Sequence, residues 1–353
     1  MTIGERVSQI QAGDRRAMAA LIRELDDDDR VGPDAREVLR LLQEPVVEAA
    51  PADVDPASPA RNGAHPARIV VGITGGPGAG KSTLVDALVA QWRARDEKVG
   101  VVAVDPSSPL GGGAILGDRV RMQRHATDAG VFIRSVASRG AQGGLSRSVL
   151  DVVSVLVGGG FSRVLVETVG AGQAEIDVAV AADVTVVVVT PGQGDEVQMM
   201  KAGILELADV LVLNKADRPD ADLTLRDLQA MLGLRLAASP RAAGLEGGLP
   251  QNPSAEIPVV QTVATRGEGL AQLVARIEEA ASAGGGAVSQ LQRRRRRAAA
   301  RIRAEIGARV EEIVREALAP MGSAASLADD VAAQRLDVGS AAKTLMARLA
   351  EGY

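Results

Sequence analysis

Residues 68–92 read RIVVGITGGPGAGKSTLVDALVAQW, an apolar run, a glycine-rich turn and the start of a helical pattern. Within it Gly75 is followed by four residues, Gly76, Pro77, Gly78 and Ala79, and then by Gly80, Lys81 and Ser82. That is the spacing of a P-loop, and its position between a strand and a helix is the context the pattern needs. The glycines allow backbone N–H groups to turn inward around phosphate oxygens. Lys81 adds a point charge, and the Ser82 hydroxyl, next to Thr83, can ligate magnesium. Residues 75–83 are therefore expected to hold the phosphates of a nucleotide.

Working outward, short Val-rich runs alternate with helical patterns from residue 68 to about residue 280. The runs are RIVVGIT, KVGVVAVD, GVFIRSV, SRVLVE, DVTVVVVT, DVLVLN and IPVVQTV. They are apolar almost throughout, as strands covered on both faces must be. Strands alternating with helices predict an α/β fold with a mostly parallel sheet wound on both sides. The flanks differ from this core. Before it, Leu21, Ile22 and Leu25, then Val38, Leu39 and Leu42, recur at helical spacing and predict two short amphipathic helices. A Pro- and Ala-rich linker follows them. After the core, Ile302, Ile306, Val310, Ile313, Val314 and Leu318 form an apolar stripe at steps of three and four, and Leu345, Met346 and Leu349 begin another. The expected organisation is a helical extension and linker over 1–67, a nucleotide-binding domain over 68–280 and a helical arm over 281–353.

Composition removes several function classes. The chain has 353 residues, no cysteine and two histidines. Disulfides, iron–sulfur clusters and Cys-ligated zinc are thereby excluded. Aromatic residues make up 1% of the chain, too few to build stacking platforms for single-stranded nucleic acid. A net charge of −5 also argues against a general nucleic-acid binder. The first residues lack the apolar segment of a signal peptide, and VTVVVVT is far too short to span a bilayer. No membrane partner and a cytoplasmic location are expected.

The base is read at NKAD, residues 214–217, which follows the strand DVLVL. The Asp217 carboxylate can accept from both N1–H and N2–H of guanine. Asn214 can reach the other edge, and the Lys215 stem can lie over the ring. Adenine has an acceptor at N1 and no 2-amino group, so it would leave Asp217 unpaired. The segment TVATRGEGL offers a closing loop, with backbone N–H groups of Val263, Ala264 and Thr265 near the guanine carbonyl. Three acidic residues are placed to sense the γ-phosphate. Asp105 ends the second strand, Asp118 lies in the Gly-rich ILGDRVRM, and Glu167 ends SRVLVE. Together with Ser82 these supply the oxygen ligands that magnesium prefers. Gly170 follows closely and can offer its N–H to the γ-phosphate, while Lys81, Asp105 and Glu167 carry the catalytic positioning.

Long strings, GGPGAGKST, VDPSSPLGGGAILGDRVRM, FIRSVASRG, VETVGAGQAEIDVA and GDEVQMMKAGILELADVLVLNKAD, resemble the MeaB/ArgK family of G proteins over residues 69–217. The resemblance implies a SIMIBI-type G domain that binds GTP or GDP with Mg2+ and hydrolyses GTP slowly by itself. It implies a chaperone of an adenosylcobalamin-dependent acyl-CoA mutase, methylmalonyl-CoA mutase or one of the isobutyryl-CoA type, that gates cofactor loading and protects or reactivates the enzyme. An adenosyltransferase is a further implied partner, and the C-terminal arm is implied to form a homodimer. Carried over by motif, Asp118 belongs to a switch region, while Gln198 and Lys201 match an additional switch that signals to the mutase. Glycines 111–113, and Ala141 with Gln142, depart from the family pattern in switch-like loops.

Other functions fit the residues less well. A nickel-delivering GTPase would need a Cys or His cluster. A kinase of an amino-acid transport system would need ATP, against Asp217. A signal-recognition GTPase would bring a Met-rich domain, and the eight methionines are scattered. The five arginines at residues 293–297 precede an amphipathic helix in an acidic chain, which suits a solvated face or an acidic partner.

Overall fold

Strand β1, Ile69–Gly75, is buried along its whole length and lies in the middle of a seven-stranded sheet. The structure is a computed structural model. It describes residues 1–26, 32–43, 68–105, 123–125, 127–137, 147–168, 178, 182–192, 208–238, 257–283 and 324–351, with single residues and short runs between 295 and 322. The other strands are β2 (Val99–Asp105), β3 (Val131–Ala137), β4 (Arg163–Thr168), β5 (Val184–Val189), β6 (Val210–Asn214) and β7 (Val259–Thr262). All seven apolar runs of the sequence thus become strands. The order is β3-β2-β4-β1-β5-β6-β7, and every described pairing is parallel. The chain builds outward on one side of β1 and then crosses to the other. That reversal defines where a ligand can enter.

Helix α4, Lys81–Arg93, leaves β1 through the glycine-rich turn and packs with α7, Leu270–Ala283, on one face of the sheet. Ile73, Val101, Leu165 and Val186 meet Leu88, Trp92, Leu273 and Ile277 there. On the other face, α6 (Ala221–Ala238) covers Leu211 and Leu213 with Leu228. Helix α5, Arg147–Gly158, carries the N-terminal helices. Covering both faces explains the unbroken apolar strands.

Among the described residues the N-terminal segment contains three helices, one more than the two expected: α1 (Ile3–Gln11), α2 (Arg15–Asp26) and α3 (Pro33–Gln43). The additional α1 is set by a capping box. The Glu5 N–H donates to Thr2 Oγ1 at 3.2 Å, and the Thr2 N–H donates to Glu5 Oε2 at 2.8 Å. This signal was present in the sequence as Thr2 and Glu5. Helices α1 to α3 belong to the same compact unit as the sheet, Met1–Ala300. The linker proposed before Arg68 lies outside the described residues.

The end of the sheet opposite the phosphate loop is held by a buried cation. The Arg163 side chain is 6% exposed and pairs with Glu97 at 2.8 Å and Glu278 at 3.5 Å, with its guanidinium 6.0 Å from the centre of the Trp92 ring. Burial raises the Glu97 carboxyl above the usual carboxylate range, and the neighbouring Arg163 charge opposes that rise.

The second unit, Arg301–Tyr353, holds α8 (Ala325–Ala332) and α9 (Val338–Glu351). Its own small core is formed by Ala317, Ala324, Leu327 and Leu345. Ile302, Ile306 and Val310 of this unit are exposed. Among the described residues no helix is long and apolar enough to cross a membrane.

Candidate functional site

The loop after β1 depends on glycine for its path. Gly80 has φ of 88° and caps α4 from the left-handed region, and a Cβ placed there would stand 2.6 Å from Asn214 Nδ2. No side chain caps α4, so the N–H groups of its first turn are available to an anion. Lys81 is buried below the loop and its Nζ donates to the carbonyls of Gly75 at 2.7 Å and Gly76 at 3.0 Å. The turn is tightened by the Ala79 N–H donating to the Gly76 carbonyl at 3.2 Å. Pro77, Gly78 and Thr83 are exposed at the surface of this cradle.

Ser82 and Glu167 meet beneath it. Glu167 is the penultimate residue of β4, next to β1, with Ile73 as its register partner, which aims it at the first turn of α4. The Ser82 hydroxyl donates to Glu167 Oε1 at 2.7 Å, and the Glu167 residue is 2% exposed. A buried carboxylate next to a hydroxyl, close to a phosphate cradle, suits magnesium, which takes oxygen ligands and keeps several waters. Among the described residues no group of three or more acidic or histidine side chains is gathered. Asp105 ends β2 in register with Ala137, at the same edge of the sheet. Its side chain, and Asp118, Gly170, Gln198 and Lys201, lie outside the described residues.

Asn214, expected at the base, has its amide committed to the protein. Its Nδ2 donates to the Ala79 carbonyl at 2.9 Å, while its Oδ1 accepts from Thr262 Oγ1 at 3.1 Å and from the Ala264 N–H at 3.3 Å. It therefore clasps the phosphate loop, β6 and the loop after β7 into one piece. Lys215, with φ of 58°, donates from Nζ to the Gly78 carbonyl at 2.7 Å and adds a second clasp. Asp217 is exposed at the tip of this turn, and its Oδ2 lies 3.5 Å from Arg266 Nη1. The loop after β7 folds as a short 3-10 turn at Ala264–Arg266, closed by the Val263 N–H donating to the Glu268 carbonyl at 3.1 Å. Thr265 is exposed beside it.

Two participants escaped sequence reading. Thr262 is the register partner of Asn214, so its hydroxyl reaches Asn214 only because β6 and β7 are neighbours. Arg266 reaches Asp217 across 49 positions of chain for the same reason. The only sequence signal for either was the TVATRGEGL string itself.

The family described as methylmalonyl-CoA mutase-associated GTPase MeaB matches residues 54–319. The chain belongs to this family. It is accordingly a P-loop GTPase. A Pyrococcus horikoshii relative, given the name GTPase provisionally, is 43% identical over 277 residues, 78% of this chain and 77% of its own. The GTPase ArgK of Escherichia coli is 44% identical over 147 residues, 42% of this chain and 44% of its own. The mitochondrial methylmalonic aciduria type A homolog of Mus musculus is 39% identical over 170 residues, 48% of this chain and 41% of its own. A crystal structure described as LAO/AO transport system kinase superposes with a TM-score of 0.61 over 98% of this chain and 97% of its own, at 19% identity. That likeness concerns the fold.

Proposed function

We infer that the chain hydrolyses GTP with magnesium and uses its nucleotide state to control an adenosylcobalamin-dependent acyl-CoA mutase, with methylmalonyl-CoA mutase as client. The observation that carries the nucleotide half is the Asn214 clasp, because it joins the guanine motif to the phosphate loop at one sheet edge. In this reading Asp217 selects guanine, Lys81 and the first-turn N–H groups of α4 hold the phosphates, and Ser82 with Glu167 holds magnesium or its waters. Asp105, Asp118 and Gly170 complete the γ-phosphate contacts. Catalysis is positioning and charge stabilisation, with the ion neutralising charge on the phosphates when bound. Gln198 and Lys201 carry the signal to the client.

The client half rests on the family description, which names a mutase-associated GTPase. Gating of cofactor loading, protection of the mutase, an adenosyltransferase partner and a cytoplasmic location complete the reading. The exposed Ile302, Ile306 and Val310 support a homodimer formed by the C-terminal arm. The test measures phosphate release with and without purified mutase, using GTP and ATP in competition. GTP is expected to be preferred and the mutase to raise the rate. Equal rates with and without mutase would sink the coupling, and tighter ATP binding would sink the base assignment.

A further inference from the structure

Arg266 has no role in the reading above, yet the fold delivers it to the carboxylate on which base selection rests. Its Nε donates to Glu268 Oε1 at 2.7 Å and its Nη2 donates to Glu268 Oε2 at 3.3 Å, so the guanidinium is held in a two-point grip from one side. Its Nη1 is the group that faces Asp217 Oδ2 at 3.5 Å. The backbone fixes this placement. The Ala216 N–H donates to the Thr262 carbonyl at 3.1 Å, tying the Asp217 turn to β7. Gly267 and Gly269 both have φ of 76°, and a Cβ at Gly269 would run into the Gln261 carbonyl, so the loop cannot relax with a side chain there.

The geometry points to Arg266 as a positioning residue for guanine, acting through Asp217 and resting on the assignment of Asp217 to the base. A carboxylate has about four lone-pair sites, and a guanine edge with N1–H and N2–H uses two of them. One guanidinium nitrogen near Oδ2 takes at most one of the four and leaves two for the base. It restricts rotation of the carboxylate about its bond to Cβ. Bidentate recognition needs that orientation, whereas a single hydrogen bond tolerates a rotated carboxylate. Guanine therefore gains more from Arg266 than hypoxanthine does, since hypoxanthine keeps N1–H and lacks the 2-amino group.

The test is equilibrium displacement of a fluorescent GDP derivative by GDP, IDP and ADP from the full chain, from Arg266→Ala, from Asp217→Ala and from the double variant. Arg266→Ala is expected to weaken GDP roughly 3- to 5-fold and IDP less than about 2-fold, the upper part of the range an exposed ion pair allows. In the Asp217→Ala background the same change is expected to have no further effect. Equal losses for GDP and IDP, no loss for GDP, or an undiminished loss in the Asp217→Ala background would each overturn the positioning role. If Asp217→Ala itself keeps its preference for GDP over ADP, the base assignment fails together with the proposal. If that preference falls while Arg266→Ala is silent, only the proposal fails.

Discussion

Glu167 shows how much of the site is a matter of single residues. Its carboxylate is buried, and burial of a charge is tolerated only with compensating hydrogen bonds or a cation. The Ser82 hydroxyl supplies one such bond at 2.7 Å. Glu167→Gln keeps the size of the side chain and removes the charge, so it is expected to raise the magnesium needed for half-maximal hydrolysis by roughly 10- to 100-fold, the range seen when groups around a metal are altered. Magnesium titration of the GTPase rate checks this, and an unchanged midpoint would remove Glu167 from the ion. Lys81 and Ser82 stand out in the sequence by the P-loop spacing and Glu167 as an acid at the end of an apolar run. The commitment of the Asn214 amide to Ala79, Thr262 and Ala264 was not legible, because it depends on which loops become neighbours.

At the scale of elements, the N-terminal helices are tied to the sheet by a charged junction. Arg15 of α2 donates to the Asp128 carbonyl at 3.1 Å, and its guanidinium stands 6.0 Å from the centre of the Phe132 ring in β3. Arg93 at the end of α4 donates from Nε to Asp128 Oδ2 at 2.8 Å, while the Gly130 N–H donates to Oδ1 at 2.8 Å. The Arg93 hydrogen bond first, and the Gly130 N–H second, hold the Asp128 carboxyl below the usual aspartate range. A folded-state value below the unfolded one stabilises the protein above the unfolded value, about 3.9, and that stabilisation is lost as pH falls through the lower folded value. Asp128→Asn is therefore expected to lower stability at pH 7 by up to about 1 kcal/mol, as a partly exposed pair allows, and to make a smaller difference at pH 2. Urea unfolding at the two pH values measures it, and an equal deficit at both would rule out the ion pair as its source. The strands of this region are legible from their Val-rich runs, whereas only Thr2 and Glu5 mark the start of α1. The apolar stripe of a short helix is faint, and its burial is provided by neighbours distant in sequence.

At the scale of the whole molecule, two compact units divide the chain, Met1–Ala300 and Arg301–Tyr353. The second unit has four buried residues at its core and exposes Ile302 at 59%, Ile306 at 57% and Val310 at 42%. Exposed apolar residues at helical spacing such as Ile302, Ile306 and Val310 are suited to a second copy of the chain. Ile306→Asp would bury a charge in such an interface, at a cost of several kcal/mol if unpaired, and is expected to convert a dimer to a monomer in light scattering. A wild-type chain that is already monomeric at micromolar concentration would refute the dimer.

The sequence by itself determined the class of the fold and membership of a GTPase family. Seven apolar runs alternating with helical patterns suit strands buried on both faces, and GGPGAGKST has the spacing of a P-loop. Only the tertiary structure decided which residues act together. Strand order brings Glu167 under Ser82, places Thr262 beside Asn214, and sets Arg266 against Asp217. These partners lie 85, 48 and 49 positions apart in the chain. Local sequence carries no term for such pairs. Their proximity follows from burying the strands in one order and not another.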